Sequence, residues 1–296
     1  MNNSEKKRKR GRKPKKDVKE EVKEDVKEEV KEDVKGDDSF FIKCTAGRAL
    51  RIFFNELKNY CDIITLNISR EKICILEIVD TVLIHSSLKS DNFEYYDIDS
   101  DIKLHINLKH FCNVMKNIKN NDTICFKKGK SDTFWTLEIH SDKNGKCERY
   151  TIDLIKRDDY VKHIIDPVEF NYEITMPSED YEDLIRKTKN IKSDKLTFLV
   201  TKNYFSFSCN DDDVSCEVTF GNSSTTINKD AWSDIFLEHF PYNKLALCTG
   251  FSKLCSLCYL YLKEDYPLII KFNVAYLGDI KLCFAPVQRP GIEILL

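Results

Sequence analysis

The side chains of this 296-residue chain whose types and spacing suggest chemistry are cationic rather than catalytic. Its six histidines, His85, His105, His110, His140, His163 and His239, are scattered singly, and none sits in a His-Glu-x-x-His pattern. No glycine-rich phosphate loop or nucleophile elbow is present. The acid groups Asp158-Asp159 and Asp211-Asp212-Asp213 fall in turn-like contexts. Cys255-x-x-Cys258 is the one close cysteine pair, and it lies in an apolar stretch with no second pair at zinc spacing. The twelve cysteines mostly interrupt apolar runs, as in Ile73-Cys74-Ile75, and read as reduced core thiols. We therefore expect no enzyme activity, no cofactor and no metal. The lysines and arginines, by contrast, recur in a pattern.

Their first concentration is the N-terminus. Residues 1–16 hold nine Lys/Arg and one Glu, a local charge of +8, while residues 17–38 hold eleven acids and five lysines, a charge of −6. With a formal total of −2, the remaining residues carry −4. A run such as Lys6–Lys16 buries nothing and binds phosphates in a salt-dependent way. Its centre, Arg10-Gly11-Arg12-Lys13-Pro14, resembles the AT-hook, with Lys13 as an extra residue before the proline. In that reading Arg10 and Arg12 point along the narrow minor groove of A·T-rich DNA, and Gly11 lets the backbone approach its floor. The same residues also suit a nuclear-localisation tail. The following repeat, with valines at 18, 22, 26, 30 and 34, sustains no heptad and reads as a solvated, partly helical spacer.

The elements that must position the remaining cations start at Phe40, where short apolar alternations separated by Asn/Asp/Lys turns predict strands. The body is doubled. Asp62-Ile-Ile-Thr-Leu-Asn-Ile-Ser-Arg70 aligns without gaps to Asp194-Lys-Leu-Thr-Phe-Leu-Val-Thr-Lys202, and the same offset sets Val82 on Val214 and Leu88 on Phe220. Each half reads strand, helix, strands, helix, strands. Residues 47–60 put Leu50, Phe53, Phe54 and Leu57 on one helical face, with Arg48, Arg51, Asn55 and Lys58 on the other. Residues 107–120 oppose Leu108, Phe111, Met115 and Ile118 to Lys109, Asn113, Lys116 and Asn120, and residues 178–191 oppose Tyr181, Leu184, Ile185 and Thr188 to Glu182, Arg186 and Lys189. A weaker helix near 250–258 offers Lys253. Several such faces in an otherwise acidic body suggest one basic surface facing a polyanion.

Tyr172-Glu-Ile-Thr-Met-Pro-Ser178 before a helix, the strand Tyr266-Pro-Leu-Ile-Ile-Lys-Phe272, and Leu277-Gly-Asp-Ile-Lys-Leu-Cys-Phe-Ala-Pro286 resemble sliding clamps of the proliferating-cell-nuclear-antigen type. The resemblance spans about residues 40–288, and the divergence and basic extension look more like clamps of large DNA viruses than cellular ones. It implies an α+β fold of two similar domains, residues 39–155 and 172–288, each with curved antiparallel sheets and two helices. A connecting loop at 156–171 and a tail at 289–296 complete that organisation. It further implies a DNA polymerase processivity factor, a homotrimeric ring around double-stranded DNA that a clamp loader assembles. Arg48, Arg51, Lys58, Lys109, Lys116, Arg186, Lys189 and Lys253 would face phosphates, with Asn113 and Asp183 standing where the family usually has Lys or Arg.

The resemblance also implies an apolar pocket for short motifs of polymerases and other replication proteins, lined by Ile78 or Val79, Ile165, Pro267, Phe284, Ala285 and Pro286. It makes Thr133–Ile139 an edge strand that pairs with Val214–Phe220 of a neighbouring subunit. The competing reading is a non-encircling processivity or transcription factor of clamp fold, monomeric or dimeric, held on DNA by the arm. No apolar run reaches the roughly 18–20 residues that span a bilayer, so no membrane role is expected. A nucleus or a cytoplasmic viral replication compartment suits the basic arm.

Overall fold

The computed structural model describes residues 38–143, 145–157, 168–201, 204–221, 226–229 and 235–287. Arg10, Arg12, the acidic repeat, Ile165 and the C-terminal tail lie outside the described residues.

The strands of the first half are β1 (Asp38–Cys44), β2 (Ile63–Ile68), β3 (Lys72–Val79), β4 (Val82–Lys89), β5 (Tyr95–Ile98), β6 (Ile102–Asn107), β7 (Asp122–Gly129), β8 (Phe134–Ser141) and β9 (Lys146–Asp153). Helix α1 (Gly47–Leu57) follows β1, and α2 (Leu108–Met115) follows β6. The second half repeats the order. It runs β10 (Tyr172–Pro177), α3 (Ser178–Thr188), β11 (Lys195–Thr201), β12 (Tyr204–Asn210), β13 (Ser215–Gly221), β14 (Thr226–Lys229), β15 (Ile235–Pro241), α4 (Tyr242–Ala246), a 3-10 turn (Thr249–Leu254), β16 (Leu257–Leu262), β17 (Leu268–Val274) and β18 (Gly278–Phe284). This is the two-domain clamp fold that the sequence suggests.

The duplication is exact in topology. One sheet of the first half runs β5-β1-β7-β8-β9, and its counterpart runs β14-β10-β16-β17-β18. The other pair of sheets run β4-β3-β2-β6 and β13-β12-β11-β15. Even a polar detail recurs: Thr65 Oγ1 lies 3.0 Å from His105 Nδ1, and Thr197 Oγ1 lies 2.8 Å from His239 Nδ1. The halves join where β18 pairs with β4, from Gly278 opposite Leu88 to Phe284 opposite Val82, which fuses two of the four sheets into a nine-stranded one. Gly278 is required there, because a Cβ would fall 2.0 Å from the Ser87 carbonyl oxygen.

The helices fold where the sequence places their apolar stripes. Leu50, Phe53, Phe54 and Leu57 of α1 are buried, as are Leu108, Phe111 and Met115 of α2 and Tyr181, Leu184 and Ile185 of α3. Phe54 meets Phe111 edge-on at 4.9 Å, and Phe111 stands 5.4 Å from Trp135 of β8. Burial of each such ring contributes about 1.5–3 kcal/mol. Asn107 caps α2, its Oδ1 accepting from the His110 amide at 3.1 Å.

Two expectations need correction. The weak fourth helix is not at 250–258. It comprises α4 and the 3-10 turn, and Leu257 already begins β16. Pro241 just before α4 supplies the start that apolar spacing did not show. The strand containing Thr133–Ile139 is not an edge. β8 pairs with β7 on one side and β9 on the other, so Leu137 is fully buried and β9 carries the free edge. The resemblance set this strand at an edge; its apolar content reflects burial on both faces of an interior strand. Val214–Phe220, which includes most of β13, does lie at a sheet edge, because β13 pairs only with β12.

Candidate nucleic-acid interface and partner groove

The helices form one continuous layer. α1 packs against α2 on one side and the 3-10 turn on the other, and α3 packs against the far side of that turn. Gly250 permits the close approach, since a Cβ there would overlap the Glu56 carboxylate of α1. Ser252 Oγ donates to Glu182 Oε2 at 2.5 Å and ties the turn to α3.

The first half supplies most of the positive charge. Arg48, Lys109 and Lys116 are exposed, and Arg51 and Lys58 are half-buried. Two lysines are held by the same device one turn apart: Lys58 Nζ donates to Asn55 Oδ1 at 3.3 Å, and Lys116 Nζ donates to Asn113 Oδ1 at 3.0 Å. An amide partner orients each ammonium without neutralising it. Arg51 Nη1 donates to the Ile118 carbonyl at 2.6 Å and so fixes the guanidinium beside the end of α2. Lys119 and Lys143 line an open groove with Arg51. Sequence periodicity misses these two because they sit in the loop after α2 and at the β8–β9 turn.

In the second half the charge is largely cancelled. Arg186 and Lys189 are exposed, but α3 also carries Glu179, Asp180, Glu182 and Asp183. Arg186 Nη2 bonds Asp183 Oδ1 at 2.7 Å. Lys253 is exposed and close enough to act on Glu56, whose carboxyl is raised by burial and pulled back by that lysine.

The apolar candidates meet at the junction of the halves. Val79 pairs with Val82, Val82 with Phe284, and Phe284 with Leu268, so one row crosses β3, β4, β18 and β17. Ile78 is 49% exposed beside this row. Val79, Pro267, Ala285 and Pro286 are half-buried, whereas Phe284 is fully buried on the core side and offers no surface. Past β18 the chain crosses between elements of both halves: the Ala285 amide donates to the Thr81 carbonyl at 3.4 Å and the Val287 amide to the His239 carbonyl at 2.8 Å. Lys244 Nζ pairs with Asp80 Oδ2 at 2.7 Å and braces the β3–β4 turn against α4.

Three exposed apolar residues near this crossing escaped the sequence reading: Val287 at 38% exposure, and Leu237 and Ile235 on the outward side of β15. The signal was present, because Ile235–Leu237 is apolar at consecutive positions that a strand sends to opposite faces. Arg157, at the start of the connecting segment, reaches both oxygens of buried Glu77 at 3.0 Å. The same carboxylate accepts from the Thr65 amide at 2.7 Å, so the start of the connector is pinned beside Ile78.

As for the thiols, Cys255 and Cys258 do not form a pair. Cys258 is buried in β16 with its thiol raised by burial, while Cys255 Sγ faces the Leu257 carbonyl at 3.1 Å. Burial likewise pushes Cys44 and Cys248 up to about 12.

Two duplicated sheets-and-helices units sharing a continuous ladder define a DNA-clamp architecture. Residues 40–163 match the family described as proliferating cell nuclear antigen, N-terminal domain, and residues 164–287 match its C-terminal domain. The chain belongs to the proliferating cell nuclear antigen family of sliding clamps, which are non-enzymatic DNA polymerase processivity factors. It is similar to the probable DNA polymerase sliding clamp 1 of Paramecium bursaria Chlorella virus 1, with 25% identity over 258 residues, covering 84% of this chain and 97% of that protein.

Proposed function

We propose that the protein closes head-to-tail into a homotrimeric ring around duplex DNA and tethers a polymerase through the groove at the β18–β4 junction. The observation that carries this reading is the internal junction itself. β18 and β4 are satisfied by each other, while among the described residues their counterparts β9 and β13 each end a sheet with one edge unpaired. Edges of this length invite pairing with another chain. The first and second halves differ by 132 residues at the junction, as Val82 and Val214 show. Transferring the β18–β4 register onto β9 and β13 sets Arg149 opposite Glu217, Tyr150 opposite Cys216 and Thr151 opposite Ser215 of the next subunit. The facing of Arg149 and Glu217 gives the junction a charge complement that the sheet alone would not require.

The helix layer then lines the hole. Arg48, Arg51, Lys58, Lys109 and Lys116, joined by Lys119 and Lys143, contact phosphates without reading bases, and Arg186, Lys189 and Lys253 add less. A short apolar partner motif occupies the surface of Ile78, Val79, Pro267, Ala285, Pro286 and Val287, with Ile165 of the connector as its cover. The arm adds a minor-groove contact through Arg10 and Arg12, a clamp loader opens the ring, and the site of action is a nucleus or a viral replication compartment.

Light scattering at micromolar concentration should give three times the chain mass, and the protein should stay on closed circular DNA and slip off once the circle is cut. Cysteines at 151 and 215 should cross-link subunits under mild oxidation. A monomer that leaves circular and linear DNA alike would instead establish the non-encircling reading.

A further inference from the structure

Glu138 and His140 project from the same face of β8, and Cys147 stands directly across from His140 on β9. We propose that these three side chains form a zinc site on the outer face of the first half. Their ligand atoms all lie within 4.8 Å of one another. His140 Nε2 is 3.4 Å from Glu138 Oε2, and Cys147 Sγ is 3.9 Å from His140 Nε2. Tetrahedral zinc, with bonds of about 2.0–2.3 Å, separates neighbouring ligand atoms by about 3.3–3.8 Å. The Glu138–His140 pair is at that spacing, and the Cys147 sulfur lies just outside it on the neighbouring strand.

The carboxylate is also oriented for the task. Its Oε1 accepts from Lys127 Nζ at 2.8 Å and Arg149 Nε at 2.7 Å, which leaves Oε2 turned to His140. Partners of this kind behind a ligand fix its direction and its charged state. The carboxylate and the Cys147 thiolate together cancel the two charges of the ion, and Lys127 and Arg149 remain as the uncompensated charges of the cluster. Binding releases the thiol proton to solvent, and water fills the fourth position on the exposed side. Imidazole and thiolate donors select zinc over magnesium or calcium.

Nothing in the fold demands this set. The registers of the second half place Lys271, Asn273 and Asp279 at the equivalent positions, where no such combination of donors exists. The bound ion would staple β9, the free edge, to β8. The site lies within a single chain and does not depend on ring closure.

The full-length protein, stripped with a chelator and dialysed, should be titrated with cobalt(II) as a spectroscopic stand-in, then with zinc against a chromogenic chelator. One cobalt per chain should bind with a thiolate charge-transfer band and the visible bands of tetrahedral coordination, and zinc should displace it. Cys147→Ser should abolish the thiolate band, and His140→Ala should weaken zinc binding by at least about tenfold. Both residues are on the surface, so circular dichroism should show intact folding, and Cys255→Ser should leave binding unchanged. A Cys147→Ser protein that keeps the band, a Cys255→Ser protein that loses it, or the absence of saturable binding would overturn the assignment.

Discussion

The two halves of the molecule share one topology but differ in what they leave unsatisfied. The β18–β4 junction buries its ladder within the chain, whereas β9 and β13, the equivalent strands, end their sheets. The helix layer differs in the same way, with amide-held lysines on α1 and α2 and internally paired charge on α3. Duplication thus fixes the scaffold, and the departures from it are where the proposed contacts with other molecules fall. A feature present in both halves, such as the Thr–His contact of β2 with β6 and β11 with β15, serves the fold. A feature present in one half needs a separate reason.

The largest expected effect breaks the closed junction. Gly278→Val drives a side chain into the Ser87 carbonyl oxygen, which belongs to backbone and cannot move aside. It should cost about 3 kcal/mol or more, read as a fall in the denaturation midpoint. Glu217→Arg is the counterpart at the open edge. It should leave the midpoint of the dilute monomer unchanged within about 0.5 kcal/mol, because the residue is exposed. It should lower the mass seen by light scattering. If the two substitutions affect stability and assembly alike, the two junctions are not related as the topology indicates.

A smaller effect tests the charge cluster that only the first half possesses. Burial alone would raise the Glu138 carboxyl, but the hydrogen bonds and charges of Lys127 and Arg149 outweigh it and hold the group below the usual carboxylate range. A depressed carboxyl stabilises the fold above its unfolded value and loses that contribution as pH falls through the folded one. Glu138→Gln should therefore cost about 1–2 kcal/mol at neutral pH. The difference from the parent should vanish under acid conditions, as urea midpoints measured from pH 7 down to pH 2 would show. A constant difference across that range would mean that the loss is one of packing.

Most of the fold was legible before any coordinates, and the reason is periodicity. Apolar stripes gave α1, α2 and α3, and the gapless alignment of residues 62–70 with 194–202 exposed the duplication. The basic faces were legible from the same spacing. Strand order was not, since interior and edge strands differ by what lies beside them, and the family resemblance set β8 at the edge that β9 occupies. The Glu77–Arg157 contact and the Glu138, His140 and Cys147 cluster were illegible for a related reason. They join residues on different strands or beyond a strand end, and no spacing along the chain announces such a meeting.

The helix layer offers a comparison of the halves on DNA. Replacing Arg51, Lys58 and Lys116 with alanine should flatten the salt dependence of binding by up to about 0.9 in log–log slope for each phosphate no longer neutralised. Replacing Arg186 and Lys189 should change it much less, because Asp183 and its acidic neighbours already offset their charge. Equal slopes for the two variants would mean that the acids of α3 turn away from the duplex.

The smallest expected effect belongs to the arm, and it separates groove geometry from charge. Insertion of Arg10 and Arg12 depends on the width and potential of the minor groove, which favour A·T tracts. Helix contacts with phosphate have no such dependence. Deleting residues 1–16 should therefore weaken binding to linear A·T-rich duplex by several-fold more than to G·C-rich duplex at matched salt. Retention on closed circles should survive the deletion, since it depends on the β9 and β13 edges. Fluorescence anisotropy on the two duplexes would measure the ratio directly. An equal loss on both would assign the arm to nonspecific phosphate attraction, because removing its +8 charge weakens every duplex alike while removing a groove-fitting contact does not.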